Sequence, residues 1–205
     1  QPNACRGMVN WNTDAYISMG LHVTRYSVGS GSASAVSMGL DKDDGIPAEY
    51  ASEIVGFVKD SEQFYALLDS TEVGTATYSW VAKYNGMGWQ CLWATGTANQ
   101  AINGGIVSTA YSRRLWFDCA NTIYYIPLQR TRLLPKKDTT YTYAAAATHV
   151  SPWMDAGTKV FDKLALAIRT FCKDISTTET VAVKYRVNKT TTALAATWVD
   201  LVTLD

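Results

Sequence analysis

The sequence predicts an all-β protein made of short antiparallel sheets, and three observations carry that reading. Helical periodicity is almost absent. Apolar residues instead alternate or fall in short β-branched and aromatic runs. Clusters of Gly, Asn, Asp, Ser and Thr break those runs at intervals of ~8–12 residues, the spacing of sandwiches, barrels and propellers. YISMGLHVTRY (16–26), TYSWVAKY (77–84) and TVAVKYRV (180–187) show the pattern. The nearest approach to a helix, 48–58, runs into IVGFV, which suits a strand better.

Along the chain, one arrangement recurs three times: an apolar strand, a polar turn, then a second strand. It appears as MVNW (8–11) before YISMGLHV, as IVGFV (54–58) before FYALLD, and as GIVSTAY (105–111) before LWFD. A third strand follows in the second and third repeats, TYSWVAKY and TIYYIPL, and more weakly in the first. GWQCLW (88–93) offers the second repeat a fourth. With Met8, Ile54 and Ile106 taken as equivalent, the repeats lie 46 and 52 residues apart (54 − 8 and 106 − 54). Periods of ~40–50 residues with up to four strands are those of propeller blades. Closed propellers use roughly four or more blades, and only two to three fit before residue 135. The expectation for 1–134 is therefore propeller-like or meander antiparallel sheets forming an incomplete ring.

Residues 135–152 change in character. With the residues just before them they hold two prolines, a basic pair and AAAA (144–147), and they read as a linker. Four alanines without caps are far too few to nucleate a helix in water. Beyond, 153–205 reads as a C-terminal β module, a small β-sandwich-like sheet. Leu164, Leu166 and Ile168 alternate on one side, Val181, Val183, Tyr185 and Val187 form a matching set, and TWVDLVTLD gives a last strand. Such a sheet has one face to bury and needs a partner layer.

Composition narrows the function. The 205 residues allow one large or two small domains, and 47% apolar content supports a sizeable core. Charged residues are 18% and the formal net charge is zero, so there is no basic face to argue for nucleic acid. Arg113-Arg114 and Lys136-Lys137 read as solvated loop charges. No apolar run reaches the ~20 residues that span a bilayer as a helix, so no membrane insertion is expected. The start, QPNACRG, has neither the basic nor the apolar region of a signal peptide. It also lacks an initiator Met, so a processed product or a piece of a longer chain is expected. Cys5, Cys91, Cys119 and Cys172 form no CxxC pair. The last three sit in or beside apolar strands and read as small buried hydrophobes. With only His22 and His149 besides, zinc-module spacing is lacking.

The segments GLDKDDGIP (39–47), YALLDS (65–70), YSWVAKYNGMGWQCL (78–92), RRLWFD (113–118), YYIPL (124–128), SPWMDAG (151–157) and VAVKYRVN…TWVDL carry a resemblance. In this order they resemble phage and metagenomic virion proteins, minor structural or tail-associated proteins with β-propeller-like repeats and a β-rich C-terminal module. The likeness spans most of the chain, but its motifs are structural punctuation and mark no site. It implies a location in the virion. The implied partners are further copies of the chain and other virion proteins.

Asp41, Asp43 and Asp44 could form a loop Ca²⁺ site, but Gly45 and Ser52 break the EF-hand pattern. The plainer reading is an Asp-rich turn that caps its own backbone. A propeller glycosidase would need two carboxylates flanking the scissile bond. Glu49, Glu53, Asp69 and Asp118 are candidates, though Asp69 and Asp118 fall at equivalent strand ends and read as turn residues. No GxSxG elbow, GxGxxG or P-loop is present. His22 reads as a half-exposed strand residue. No cofactor is expected.

Aromatics are the remaining candidates. Trp80, Trp89, Trp93, Trp116, Tyr124, Tyr125 and Trp153 could stack on sugar rings, and Trp116, Tyr124 and Trp153 are singled out as ligand or partner contacts. The hairpin SRRLWFDCANTIYYIPL (112–128) concentrates Leu115, Trp116, Phe117, Tyr124 and Tyr125, most of which should face a neighbouring sheet. The resulting expectation is a non-enzymatic structural component of a virus particle, a phage tail or tail-tip protein that acts by assembly. A carbohydrate-binding or adhesion module that takes surface glycans is the alternative.

Overall fold

The computed structural model describes residues 4–29, 32–40, 46–74, 77–128, 168–171, 177–178, 180–185 and 198–204. The chain divides into two compact units, Gln1–His149 and Val150–Asp205. The linker expected at 135–152, the acidic loop Asp41–Asp44, His149, Trp153 and Cys172 lie outside the described residues.

The first unit is all-β. Sheet I runs β1 (Ala4–Trp11), β2 (Asp14–Met19), β3 (Val23–Gly29) and β4 (Ser32–Ser37). After a 3-10 turn at Ala48–Tyr50, sheet II runs β5 (Glu53–Lys59), β6 (Phe64–Asp69), β7 (Trp80–Tyr84) and β8 (Trp89–Ala94). Sheet III is β9 (Gly105–Ser108), β10 (Arg114–Cys119) and β11 (Thr122–Pro127). Each is an antiparallel meander in which neighbours in sequence are neighbours in space, and none closes into a barrel. The three sequence repeats are thus three sheets. Sheet I has a full third and fourth strand where the sequence showed only a weak third. Its β4 is SASAVS, too poor in large apolar residues to signal a strand.

β6 explains how the sheets combine. FYALLD is buried at five successive positions. Phe64, Ala66 and Leu68 share a core with Val9, Tyr16 and Val23 of sheet I. Tyr65 and Leu67 share another with Leu115, Phe117, Cys119 and Ile126 of sheet III. Sheet II is therefore the middle layer, and a strand covered on both faces reads as a continuous apolar run instead of an alternation. Sheets I and II are also tied through backbone, since Ile54 N–H donates to the Gly20 carbonyl at 3.0 Å.

The first strands of the three sheets lie side by side, β1 against β5 and β5 against β9. Each carries a glycine: Gly7, Gly56 and Gly105, which stand 49 and 49 residues apart (56 − 7 and 105 − 56). A Cβ on Gly7 would meet Gly56 Cα at 3.0 Å, and one on Gly105 would meet the Trp116 carbonyl at 2.7 Å. Close approach of backbones is what glycine permits. The unequal 46- and 52-residue spacing is corrected to this regular one. β1 is bulged between Ala4 and Met8, and β5 between Ile54 and Gly56. A bulge adds a residue to one strand, so matching by apolar position alone slips the register.

In the second unit, β12 (Val181–Tyr185) and β13 (Val199–Leu204) pair antiparallel, with Lys184 and Asp200 in an exposed ion pair at 2.8 Å. Of the alternating set expected before them, Leu164 and Leu166 lie outside the described residues, and Ile168 is exposed and outside any strand.

Candidate functional site

The β10–β11 hairpin turns on Ala120 and Asn121, both at positive φ (51° and 62°). That is the two-residue turn whose twist matches antiparallel strands. Its strict register fixes what faces where. Leu115, Phe117 and Cys119 point to sheet II and are buried, whereas Arg114, Trp116 and Asp118 point away. Trp116 pairs with Tyr125, and Phe117 with Tyr124. Three of the five large side chains thus lie on the core side, and Trp116 and Tyr125 lie on the outer face.

That outer face is a built surface. The Trp116 and Tyr125 rings are 5.0 Å apart. The Arg114 guanidinium lies 4.2 Å from the Tyr125 ring, 5.7 Å from Trp116 and 5.6 Å from Tyr111. Cation–π contacts of this kind contribute about 0.5–1 kcal/mol at exposed sites, and they hold the rings in a row. Ile106, paired with Trp116, and Ile123, paired with Asp118, extend the apolar surface and are 63% and 73% exposed. Tyr125 is 49% exposed.

The 49-residue interval shows what this face corresponds to. Tyr16, Tyr65 and Arg114 are equivalent, as are Ser18, Leu67 and Trp116. Tyr16 and Ser18 are buried on the side of sheet I that meets sheet II. Tyr65 and Leu67 are buried on the side of sheet II that meets sheet III. The face holding Arg114 and Trp116 is the third instance of a surface that is covered in the first two.

The other candidates are placed differently. Tyr124 stacks on Phe117 (5.8 Å, 20°) and lies 5.4 Å from Trp93, at the rim of the core between sheets II and III. Trp116 and Tyr124 are therefore on opposite faces, and the structure does not bring them together. Trp80 is buried and donates its indole N–H to the Tyr50 carbonyl at 3.0 Å. Trp89 donates to the Met38 carbonyl at 2.7 Å and packs 5.0 Å from Tyr84. These are core groups.

Asp69 and Asp118, themselves 49 residues apart (118 − 69), both close turns. Asp69 Oδ1 accepts from the Thr71 N–H and hydroxyl, each at 2.7 Å. Asp118 accepts from the Gly104 N–H at 2.7 Å, the Asn103 N–H at 3.1 Å and the Asn103 side-chain amide at 2.6 Å. Burial pushes the Asp118 carboxyl up, but these hydrogen bonds outweigh it and hold the group below the usual carboxylate range. A glycosidase general acid needs the opposite shift. His22, expected within a strand, sits instead in the bend between β2 and β3, partly buried, and its carbonyl accepts from the Met19 N–H. Among the described residues no three His, Cys, Asp or Glu side chains converge on a metal position. No helix among them is long and apolar enough to cross a membrane.

Arg113 is not a solvated loop charge: its guanidinium donates to Asp60 Oδ2 in a nearly buried ion pair, and Arg114 lies over aromatic rings. Nothing local in the sequence links Arg113 to a partner 53 residues away. Of the cysteines expected to be buried, Cys119 is, but Cys91 is exposed on β8, as is Cys5 on β1. With that geometry established, comparison with protein-family models, with curated proteins and with solved structures finds no match to this chain.

Proposed function

We propose that this chain is a non-enzymatic structural component of a virus particle, of the phage-tail type, that acts by assembly through the outer face of sheet III. The observation that carries the reading is the position of Trp116. It occupies the place that is fully buried at Ser18 and Leu67, yet it stands with Arg114, Tyr125, Ile106 and Ile123 on an open face. Contiguous apolar faces of this kind mark docking surfaces. Aromatic and arginine side chains are also the types that dominate interface energy. The virion setting is supported by the resemblance of the chain's segments to virion proteins.

The test is mass spectrometry of purified particles from the natural source, combined with oxidative footprinting of the face. The expected result is that the chain co-purifies in fixed stoichiometry, with Trp116 and Tyr125 shielded. A chain absent from particles contradicts the reading. The same row of rings supports a second reading, glycan stacking. It predicts specific glycan-array signals that disappear in Trp116→Ala.

A further inference from the structure

We infer that the partner seated on sheet III is sheet I of a second copy of this chain, so that two copies close head to tail into a ring of six sheets. This rests on the assembly reading above and names its partner. Ile17, Ala66 and Leu115 are equivalent at the 49-residue interval. Ala66 is fully buried beneath sheet I, and Leu115 beneath sheet II. Ile17, on the side of sheet I away from sheet II, is only half-buried. Its cross-strand neighbour Met8 is 64% exposed, and Tyr26 on the same face is 39% exposed.

Among the described residues, the first unit therefore ends in two different exposed faces. One is the side that receives a preceding sheet, and the other is the side that receives a following one. The chain has already joined such faces twice, at I–II and at II–III. A third joint of the same kind between copies is heterologous, and heterologous joints give closed rings when the rotation closes. Propellers close with about 4–8 blades. The described residues of the first unit supply three sheets; two such units fall inside that range, whereas three fall outside it. The chemistry also fits. Met8, Ile17 and Tyr26 carry no charge, and the Arg114 guanidinium, lying over Tyr125 and Trp116, keeps its cation–π contacts when the faces meet.

The experiment is native mass spectrometry with sedimentation velocity on the full chain and on variants of each face. Trp116→Glu and Ile123→Glu alter the sheet III face, and Met8→Glu alters the sheet I face. Circular dichroism and melting temperature confirm that each variant is folded; Ile123 and Met8 are exposed enough to be changed without loss of the core. The expected result is a dimer for the wild type and monomers for each variant alone. A mixture of Ile123→Glu with Met8→Glu should associate again, because one copy then supplies an intact sheet III face and the other an intact sheet I face. A Met8→Glu protein that still dimerises shows a joint between two sheet III faces and overturns the inference. A wild type that is monomeric, or that forms only trimers or larger species, also overturns it. If that monomer still has its sheet III face shielded in particles, the assembly reading stands and only the second-copy partner fails.

Discussion

Gly105 shows how a single residue constrains the stack. A Cβ there would lie 2.7 Å from the Trp116 carbonyl and 3.2 Å from both Leu67 Cδ1 and Phe117 Cβ. Gly56, its counterpart one sheet earlier, would meet only Leu67 Cδ1 at 4.0 Å. Gly105→Ala should therefore lower unfolding free energy by about 1–3 kcal/mol, the usual cost of forcing atoms into a packed site. Gly56→Ala should change it by less than ~1 kcal/mol; urea denaturation of both variants checks the contrast. Asp118 gives a pH-dependent counterpart. Its folded pKa is lowered, so its contribution is present above the unfolded value of about 3.9 and is lost as pH falls through the folded value. Asp118→Asn should cost about 1–3 kcal/mol at neutral pH. The gap between wild type and variant should narrow below about pH 4 in a stability–pH series.

At the scale of elements, strands were legible wherever β-branched and aromatic residues alternate or run together, whichever of their faces is buried. β12 announced itself by alternation, β10 and β11 by the short apolar runs LWF and IYYI, and the DCAN turn by its residue types. FYALLD could be read as a strand, but not as the centre of a middle sheet, because its continuous burial depends on two distant layers. β4 was hidden by its small residues. The outward pair Trp116–Tyr125 lies inside the apolar runs LWF and IYYI, and only packing against sheet II decides which half faces out. Arg113 was illegible for the same reason, since its partner Asp60 lies in the β5–β6 turn. That ion pair fastens sheet II to the start of β10. Arg113→Ala leaves the Asp60 carboxylate nearly buried and unpaired, which should cost about 3–5 kcal/mol. Thermal and urea unfolding measure the loss, and a change below ~1 kcal/mol would show that the pair is solvated.

At the scale of the whole first unit, one interval of 49 residues organises the glycines of the inner strands, the turn-closing Asp69 and Asp118, and the alternate faces of each second strand. Among the described residues, three sheets stacked by one rule leave it unfinished at both ends, and the proposed assembly uses those ends. The most direct measurement is hydroxyl-radical footprinting of the full chain, free in dilute solution and assembled. The account predicts that Trp116, Tyr125 and Ile123 are labelled in the free chain and protected on assembly, while Leu67 and Leu115 stay protected throughout. Equal labelling of Trp116, Tyr125 and Ile123 in both states would contradict it.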